Sequence, residues 1–262
     1  MSAAVAGRGP GVDFSAATSL ALTLHFDAAQ PRHFGAPAAQ SRAFRIEGFE
    51  GEVARGASCN CRSITLIPHC NGTHTESASH LTLQQRPLYQ FAPLAPVPAI
   101  LLSLTPRAAS DTDEDSDPAP LAGDLVVTRS DLLAAWQSKA ASQPRALLLR
   151  TGAATGSENP PYLTRQLMTE LVARNIEHLV VDLPSVDRSQ DQGRLTAHRI
   201  FFGLPPGSTD LAAAKRSECT ITELATFPLH LADGPCALQL QLPAFSGDAV
   251  PSRPLHLPLV QG

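Results

Sequence analysis

Aromatic residues are scarce in this sequence, at 5% with one Trp and two Tyr, and positive charge is not in excess: Lys+Arg 20 stand against Asp+Glu 24, a formal net charge of −4. Sequence-independent affinity for phosphate backbones needs clustered cations, so no nucleic acid is expected as a partner. A long apolar run is also missing. The longest, residues 91–104, is interrupted by Pro93, Pro96 and Pro98. It falls short of the roughly 20 apolar residues of a spanning helix, so no membrane contact is expected. The opening stretch MSAAVAGRGPGVDF breaks at Gly and Pro and lacks the apolar core of a secretory signal. Five cysteines cannot all pair, and a chain of 262 residues is too large to depend on staples. These absences predict a cytoplasmic protein without a disulfide framework.

What is present favours a folded domain. Hydrophobic residues make up 43% of the chain, enough for a sizeable core. The 23 prolines limit helix length and favour strands bounded by loops. Residues 1–14 read as a flexible tail and residues 15–262 as a single domain. Alternation predicts strands over 18–26, in AFRIEGF and over 63–70, with a strand buried on both faces from Ala99. Residues 108–120, AASDTDEDSDPAP, form an acidic insert with no basic residue among its acids. Lacking the placed Gly and Glu of a calcium loop, the insert reads as a solvated loop.

Beyond the insert the pattern becomes β-α-β. DLVV is a strand, Ser130 caps a helix through LLAAWQSKA, and residues 146–150 form a buried strand. Thr164 caps a second helix whose Leu167, Met168, Leu171 and Val172 recur at helical spacing, with Asn175 as its stop, and HLVVDLPSVD follows as strand and exit loop. ALQLQLP alternates as an antiparallel or edge strand. The predicted fold class is mixed α/β.

Residue types that carry chemistry concentrate between Pro68 and His80. His69, Cys70, His74, Glu76 and His80 are all metal-ligand types. Cys70, His74, Glu76 and His80 share parity, but an extended strand spreads them over roughly 33 Å at about 3.3 Å per residue. A continuous helix directs the Cys70–His74 and Glu76–His80 pairs to opposite sides. To meet at one ion the chain must curl, and Gly72 is the expected place. His69 points away from Cys70 on an extended chain and reads as a supporting or surface residue. A polar loop with incidental histidines is the other reading of this spacing. Cys59 and Cys61 read as buried or free thiols.

The segment resembles the metal motif of the cyclase family, which includes bacterial kynurenine formamidases and isatin hydrolase-like enzymes: His-x-Gly-Thr-His-x-Asp-x-Pro-x-His. Gly72-Thr73-His74 and His80 match in place, while Cys70, Glu76 and Ala78 stand where the first His, the Asp and the Pro are expected. Leu148 to Gly152 resembles the family's central strand exit, and Val181 to Asp187 its D-x-P-S-x-D loop. Thr196-Ala197-His198-Arg199 and Ile221-Thr222-Glu223-Leu224 resemble its late ligand segments, and Ser252-Arg253-Pro254 its closing turn. The resemblance runs in order over residues 18–260.

The resemblance implies a swivelling β/β/α-type domain. In it His74 and Glu76 bind a divalent metal, Glu76 bridges to a second one held by His198 and Glu223, and His80 transfers protons. Asp210 and Glu218 are rivals for the late carboxylate. Cys70 completes the first position if its thiolate replaces imidazole, which suits zinc and not manganese. Zinc is therefore the expected metal and manganese the second choice. The implied activity is hydrolysis of a small amide, lactam or related carbonyl substrate, by a homodimer or homotetramer. The family's formamidases recognise an aromatic ring through an N-terminal Trp. Here the one Trp is Trp136, well after the motif, which argues against kynurenine formamidase activity. His33 or Phe34 is the expected substrate wall. The alternative is a non-catalytic binding or structural protein on the same fold with a degenerate metal site, consistent with three departures in one motif and with the acidic insert.

Overall fold

The computed structural model describes residues 11–137, 143–153 and 156–260. Residues 1–10 of the expected tail, and Ser138, Lys139 and Ala140 of the expected LLAAWQSKA helix, lie outside that set. Three apolar segments, Val97–Ser103, Ala146–Arg150 and His178–Val181, and the more polar Thr220–Glu223 lie side by side as parallel strands. Alternate side chains enter two different cores. Ile100, Leu102, Leu147, Leu149 and Val181 face a core shared with three helices: α2 (Arg129–Gln137), α3 (Arg165–Ala173) and α4 (Thr196–Phe202). Ala99, Leu101, Ala146, Leu148 and Val180 face the other. Both faces are apolar because both are covered, so these strands read as continuous hydrophobic runs.

Antiparallel strands flank this block. His74–Glu76 pairs with Thr220–Glu223, and Ala249–Pro251 pairs with His74–Glu76. On the other side Gly234–Gln241 pairs with Val97–Ser103, Arg253–Leu257 comes next, and Thr18–Ser19 is last. The sheet has nine strands. Pieces of chain separated only by Ser252 serve opposite ends of it, Ala249–Pro251 at one margin and Arg253–Leu257 near the other. The sheet therefore curls until its margins approach.

Several local expectations change. The strand expected over 18–26 shrinks to Thr18–Ser19 and one bridge, Ala21 to Ala225. The Leu22 amide donates to Thr73 Oγ1 instead of a ladder partner. AFRIEGF is a hairpin of Arg45–Ile46 with Phe49–Glu50. Residues 63–70 divide into a strand, Arg62–Thr65, and a helical turn, α1 (Pro68–Asn71). Pro68 suits the first helical position, where its missing N–H goes unneeded. The hydroxyl that caps α2 is that of Thr128, which accepts from the Asp131 amide, rather than that of Ser130. Thr164 caps α3 as expected. Gly11 and Val12 pair with Val260 and Leu259, so strand pairing begins inside the stretch read as a tail.

The acidic insert is not simply solvated. Glu114 accepts from the Arg129 and Ser130 amides at 2.7 and 3.0 Å and from Thr164 Oγ1 at 2.6 Å. Asp115 pairs with Arg165 at 3.2 Å and Asp117 pairs with Arg194. These arginines lie 50 and 77 residues along the chain, out of view of any sequence window. Among the described residues no helix is long and apolar enough to cross a membrane.

Candidate metal centre

Pairing of His74–Glu76 with Thr220–Glu223 sets Glu223 opposite His74 and Ile221 opposite Glu76. Strand side chains alternate, so His74 and Glu76 share one face while Thr75 turns to the other and meets Thr222 Oγ1 at 2.7 Å. Glu223 Oε2 comes within 3.4 Å of His74 Nε2. The helical layer supplies His198. Asp187 accepts from the Ala197 and His198 amides at the start of α4 and meets His198 Nδ1 at 2.6 Å. The ring is thereby aimed with Nε2 2.8 Å from Glu76 Oε1 and 3.5 Å from Glu223 Oε1. The α1 turn brings in His69, whose Nδ1 lies 3.1 Å from Glu76 Oε2 and whose Nε2 lies 2.8 Å from Asp248 Oδ2. His80 follows on a short turn, with Nδ1 3.4 Å from the same Asp248 oxygen and Nε2 3.9 Å from Glu76 Oε2. Leu195 (φ 49) and Leu224 (φ 54), beside these segments, hold left-handed backbone. Such strain costs on the order of 1–3 kcal/mol per residue and clusters at functional sites.

His74 Nε2, His198 Nε2 and both Glu76 oxygens are buried without an aligned hydrogen-bond partner. The approaches of His74 Nε2 and His198 Nε2 to the carboxylates are therefore contacts without a well-directed hydrogen. Tautomer explains them: His74 Nδ1 lies 3.0 Å from the Gly72 carbonyl and His198 Nδ1 faces Asp187. Each acceptor takes the proton of a neutral ring and leaves the Nε2 lone pair facing a carboxylate. In a dry interior, polar groups left in this state cost several kcal/mol. A divalent cation among them would turn each opposed lone pair into a bond. Among the described residues Glu76, Glu223, Asp187 and Asp248 ion-pair with histidines and with no Arg or Lys. Ligand atoms lie within 4.8 Å of one another in His69/His74/Glu76, in Glu76/His198/Glu223 and in His69/His80/Asp248.

Charge follows the same geometry. Burial alone would raise Glu76, but His198, His80 and His69 outweigh it and hold the carboxyl well below the usual range. Burial likewise opposes charge on His198, yet Glu76, Asp187 and Glu223 lift it well above an ordinary histidine. His69, also against its burial, is raised to about 10 by Asp248 and Glu76. A neutral ring leaves its lone pair opposed to a carboxylate, so either a proton taken up by His198 or His69 or a bound cation would supply the missing positive charge.

Of the residues expected from sequence, the structure brings together His74, Glu76, His80, His198 and Glu223. It does not bring Cys70, which joins none of the three groups among the described residues. Its thiol is partly exposed, with a pKa pushed up by burial. The parity argument fails because 68–71 are helical, where one residue turns the side chain by about 100°. The curl lies in this turn, while Gly72 is extended at φ 175, ψ −173. His69, read as pointing away, stands in the cluster instead. Glu218 pairs with Arg86 at the surface and Asp210 caps a short turn, which leaves Glu223 as the late carboxylate of the cluster. Asp187 lies in the D-x-P-S-x-D resemblance and could have been found there; Asp248, alone between Gly247 and Ala249, carried no signal. Trp136 packs in the core beneath Arg174, and Cys59 and Cys61 are exposed free thiols.

The cluster opens into a cavity of about 250 Å³ whose outer wall includes Phe34, Ser185, Arg188 and Leu195. Arg188 is held by Asp124 at 2.8 Å. A larger cleft of about 910 Å³ shares Phe34 and Ser189 with it and also contains His33. Both residues expected in the substrate wall thus line the approach to the cluster.

The sequence model of the Cyclase family matches residues 18–188, more than half of the chain. Among curated proteins none matches. Solved structures share the fold at low identity. One is described as a potential metal-dependent hydrolase with cyclase activity, at 15% identity and TM-score 0.63 over 94% of this chain and 98% of that one. Isatin hydrolase A from Labrenzia aggregata matches at 16% identity and TM-score 0.61, covering 93% and 94%. Isatin hydrolase A from Ralstonia solanacearum matches at 15% identity and TM-score 0.58, covering 92% and 91%.

Proposed function

The chain belongs to the cyclase family, and from that premise we propose that it is a metal-dependent hydrolase of a small amide, lactam or related carbonyl compound. One observation carries the reading: the buried lone pairs of His74, His198 and Glu76 converge without hydrogen-bond partners. Glu76, His198 and Glu223 would hold one divalent cation, and His74 with Glu76 would hold part of a second position. When bound, such a cation supplies Lewis-acid polarisation of a carbonyl and acidifies water, from a pKa of 15.7 towards about 7. With nitrogen and carboxylate oxygen as the converging donors, zinc and manganese both suit the set.

The remaining work falls to side chains on the cavity wall. Asp187 fixes the His198 tautomer through Nδ1. Glu223 Oε1 accepts from the Val186 amide at 2.8 Å, which anchors the carboxylate against rotation. His80 lines the cavity with its Nδ1 beside Asp248; it takes a proton from the attacking water and returns it to the leaving group. Phe34 offers an apolar wall to the substrate. Exposed Phe44, Ile46 and Ile64, on and between the outer hairpin strands, support assembly into a homodimer or homotetramer, and free cysteines support a reducing, cytoplasmic setting.

Metal analysis of the purified protein, together with hydrolysis assays on isatin, N-aryl formamides and simple lactams, tests the proposal. Bound zinc or manganese, and hydrolysis lost on chelation and restored by metal, is the expected result. A chain that holds no divalent metal when supplied with either, and hydrolyses none of these compounds, would overturn it.

A further inference from the structure

We infer that His69, and not Cys70, is the third protein donor of the position shared by His74 and Glu76, with Asp248 as the carboxylate that holds His69 in place. The inference rests on reading the cluster as a metal centre. It moves the ligand one residue along the chain from the motif position that Cys70 occupies.

The argument is a pattern repeated three times. Each of three imidazoles directs one nitrogen at the central carboxylates while an oxygen acceptor occupies the other. For His74 the acceptor is the Gly72 carbonyl, for His198 it is Asp187, and for His69 it is Asp248 at 2.8 Å. Metal-bound histidines characteristically give their far N–H to such an acceptor, which fixes tautomer and ring angle and strengthens the donor. His69 meets the condition with Nδ1 facing Glu76 Oε2 at 3.1 Å and its ring 5.0 Å from that of His74, edge on. His80 does not meet it as well, because its Nε2 stays 3.9 Å from Glu76. Cys70 has no part in the pattern.

The local fold supplies the cause. Pro68 starts a helical turn and Asn71 closes it, its Oδ1 accepting from the Ile67 amide at 2.8 Å and its Nδ2 donating to the Pro31 and Pro37 carbonyls. With both ends pinned, the turn can present one of its two middle side chains to the cluster, and that side chain is His69. Asp248 then serves two rings, lying 2.8 Å from His69 and 3.4 Å from His80. A loss of Asp248 should therefore disturb both metal affinity and proton transfer.

Cobalt(II) substitution distinguishes the donors by spectrum, without any substrate. A thiolate donor gives a sulfur-to-cobalt charge-transfer band in the near ultraviolet, and imidazole does not. The wild-type chain should lack that band, and Cys70→Ser should keep both the visible cobalt spectrum and the metal content. His69→Ala should lose about one equivalent of metal; His69→Gln, closer in size, repeats the test, with circular dichroism checking that each variant is folded. Asp248→Asn should keep the metal but bind it about 10–100-fold more weakly. A charge-transfer band abolished by Cys70→Ser would overturn the inference, as would wild-type metal content in both folded His69 variants. A wild type that binds metal in this way yet hydrolyses nothing would sink only the proposed activity, whereas a wild type that binds no metal would sink both.

Discussion

Two sets of carboxylates in this molecule live under opposite conditions. Glu114, Asp115 and Asp117 sit on a surface stretch, and each is met by full N–H or O–H donors: the first amides of α2 and Thr164, Arg165 and Arg194. Glu76 and Glu223 are buried on neighbouring strands, where one amide, that of Val186, reaches Glu223 and the Nε2 atoms of His74 and His198 face them without an aligned hydrogen. Water can reach the first set, so a lost partner there costs little. It cannot reach the second, where an unmatched charge costs several kcal/mol. The surface acids stabilise what already exists, and the buried ones wait for a cation.

The comparison can be broken at its most expensive point. Glu76→Gln keeps size and removes the shared charge; it should strip bound divalent metal and take hydrolysis below detection. Retained metal would show that the buried set does not need its charge. His80→Ala should lower turnover by about 10²–10⁴-fold while metal content stays at the wild-type level, and a parallel loss of metal would make His80 a ligand instead. Proton linkage sharpens the contrast further. Because carboxylates raise His198 and His69 in the metal-free chain, a cation must expel their protons, so affinity should rise with pH by about tenfold per unit for each proton released. Calorimetry in buffers of different protonation heat counts those protons, and a count of zero would mean neutral rings. With a folded value of about 10 against 6.5, the His69 contribution to metal-free stability is complete below pH 6.5 and lost as pH rises through 10.

Effects on the surface set should be smaller. Glu114→Ala removes the acceptor of two helix-start amides and of Thr164, and should cost about 1–2 kcal/mol in denaturant melts. Asp115→Asn, which breaks one exposed pair, should cost under about 1 kcal/mol. If Asp115→Asn proved as damaging as Glu114→Ala, exposure would not be what separates the two sets.

Some of this was legible in the sequence and some could not be. His74, Glu76 and His80 lie in one short segment, and strand alternation alone puts the first two on one face. His198 and Glu223 carried no local signal beyond ordinary residue types; only resemblance to a motif picked them out. His69 was lost to a single wrong assumption, that residues 63–70 stay extended. Pro68 at a first helical position and Asn71 as a cap were both visible, but neither fixes a four-residue turn without the carbonyls of Pro31 and Pro37 that Asn71 reaches. Asp248 and the arginine partners of the acidic insert depend on contacts between distant segments. No window along the chain contains them.

The stretch that runs from Ala249 to Leu257 and serves both ends of the curled sheet also bears on the order of events in folding. Thr75 meets Thr222 across 147 residues and His69 meets Asp248 across 179, and contacts of such separation form slowly because a long loop must close first. A chain in which those segments have not yet met can display its histidines but cannot gather them. A cluster built from contacts this far apart is complete only when its segments have docked, so metal affinity should report on the folded chain alone.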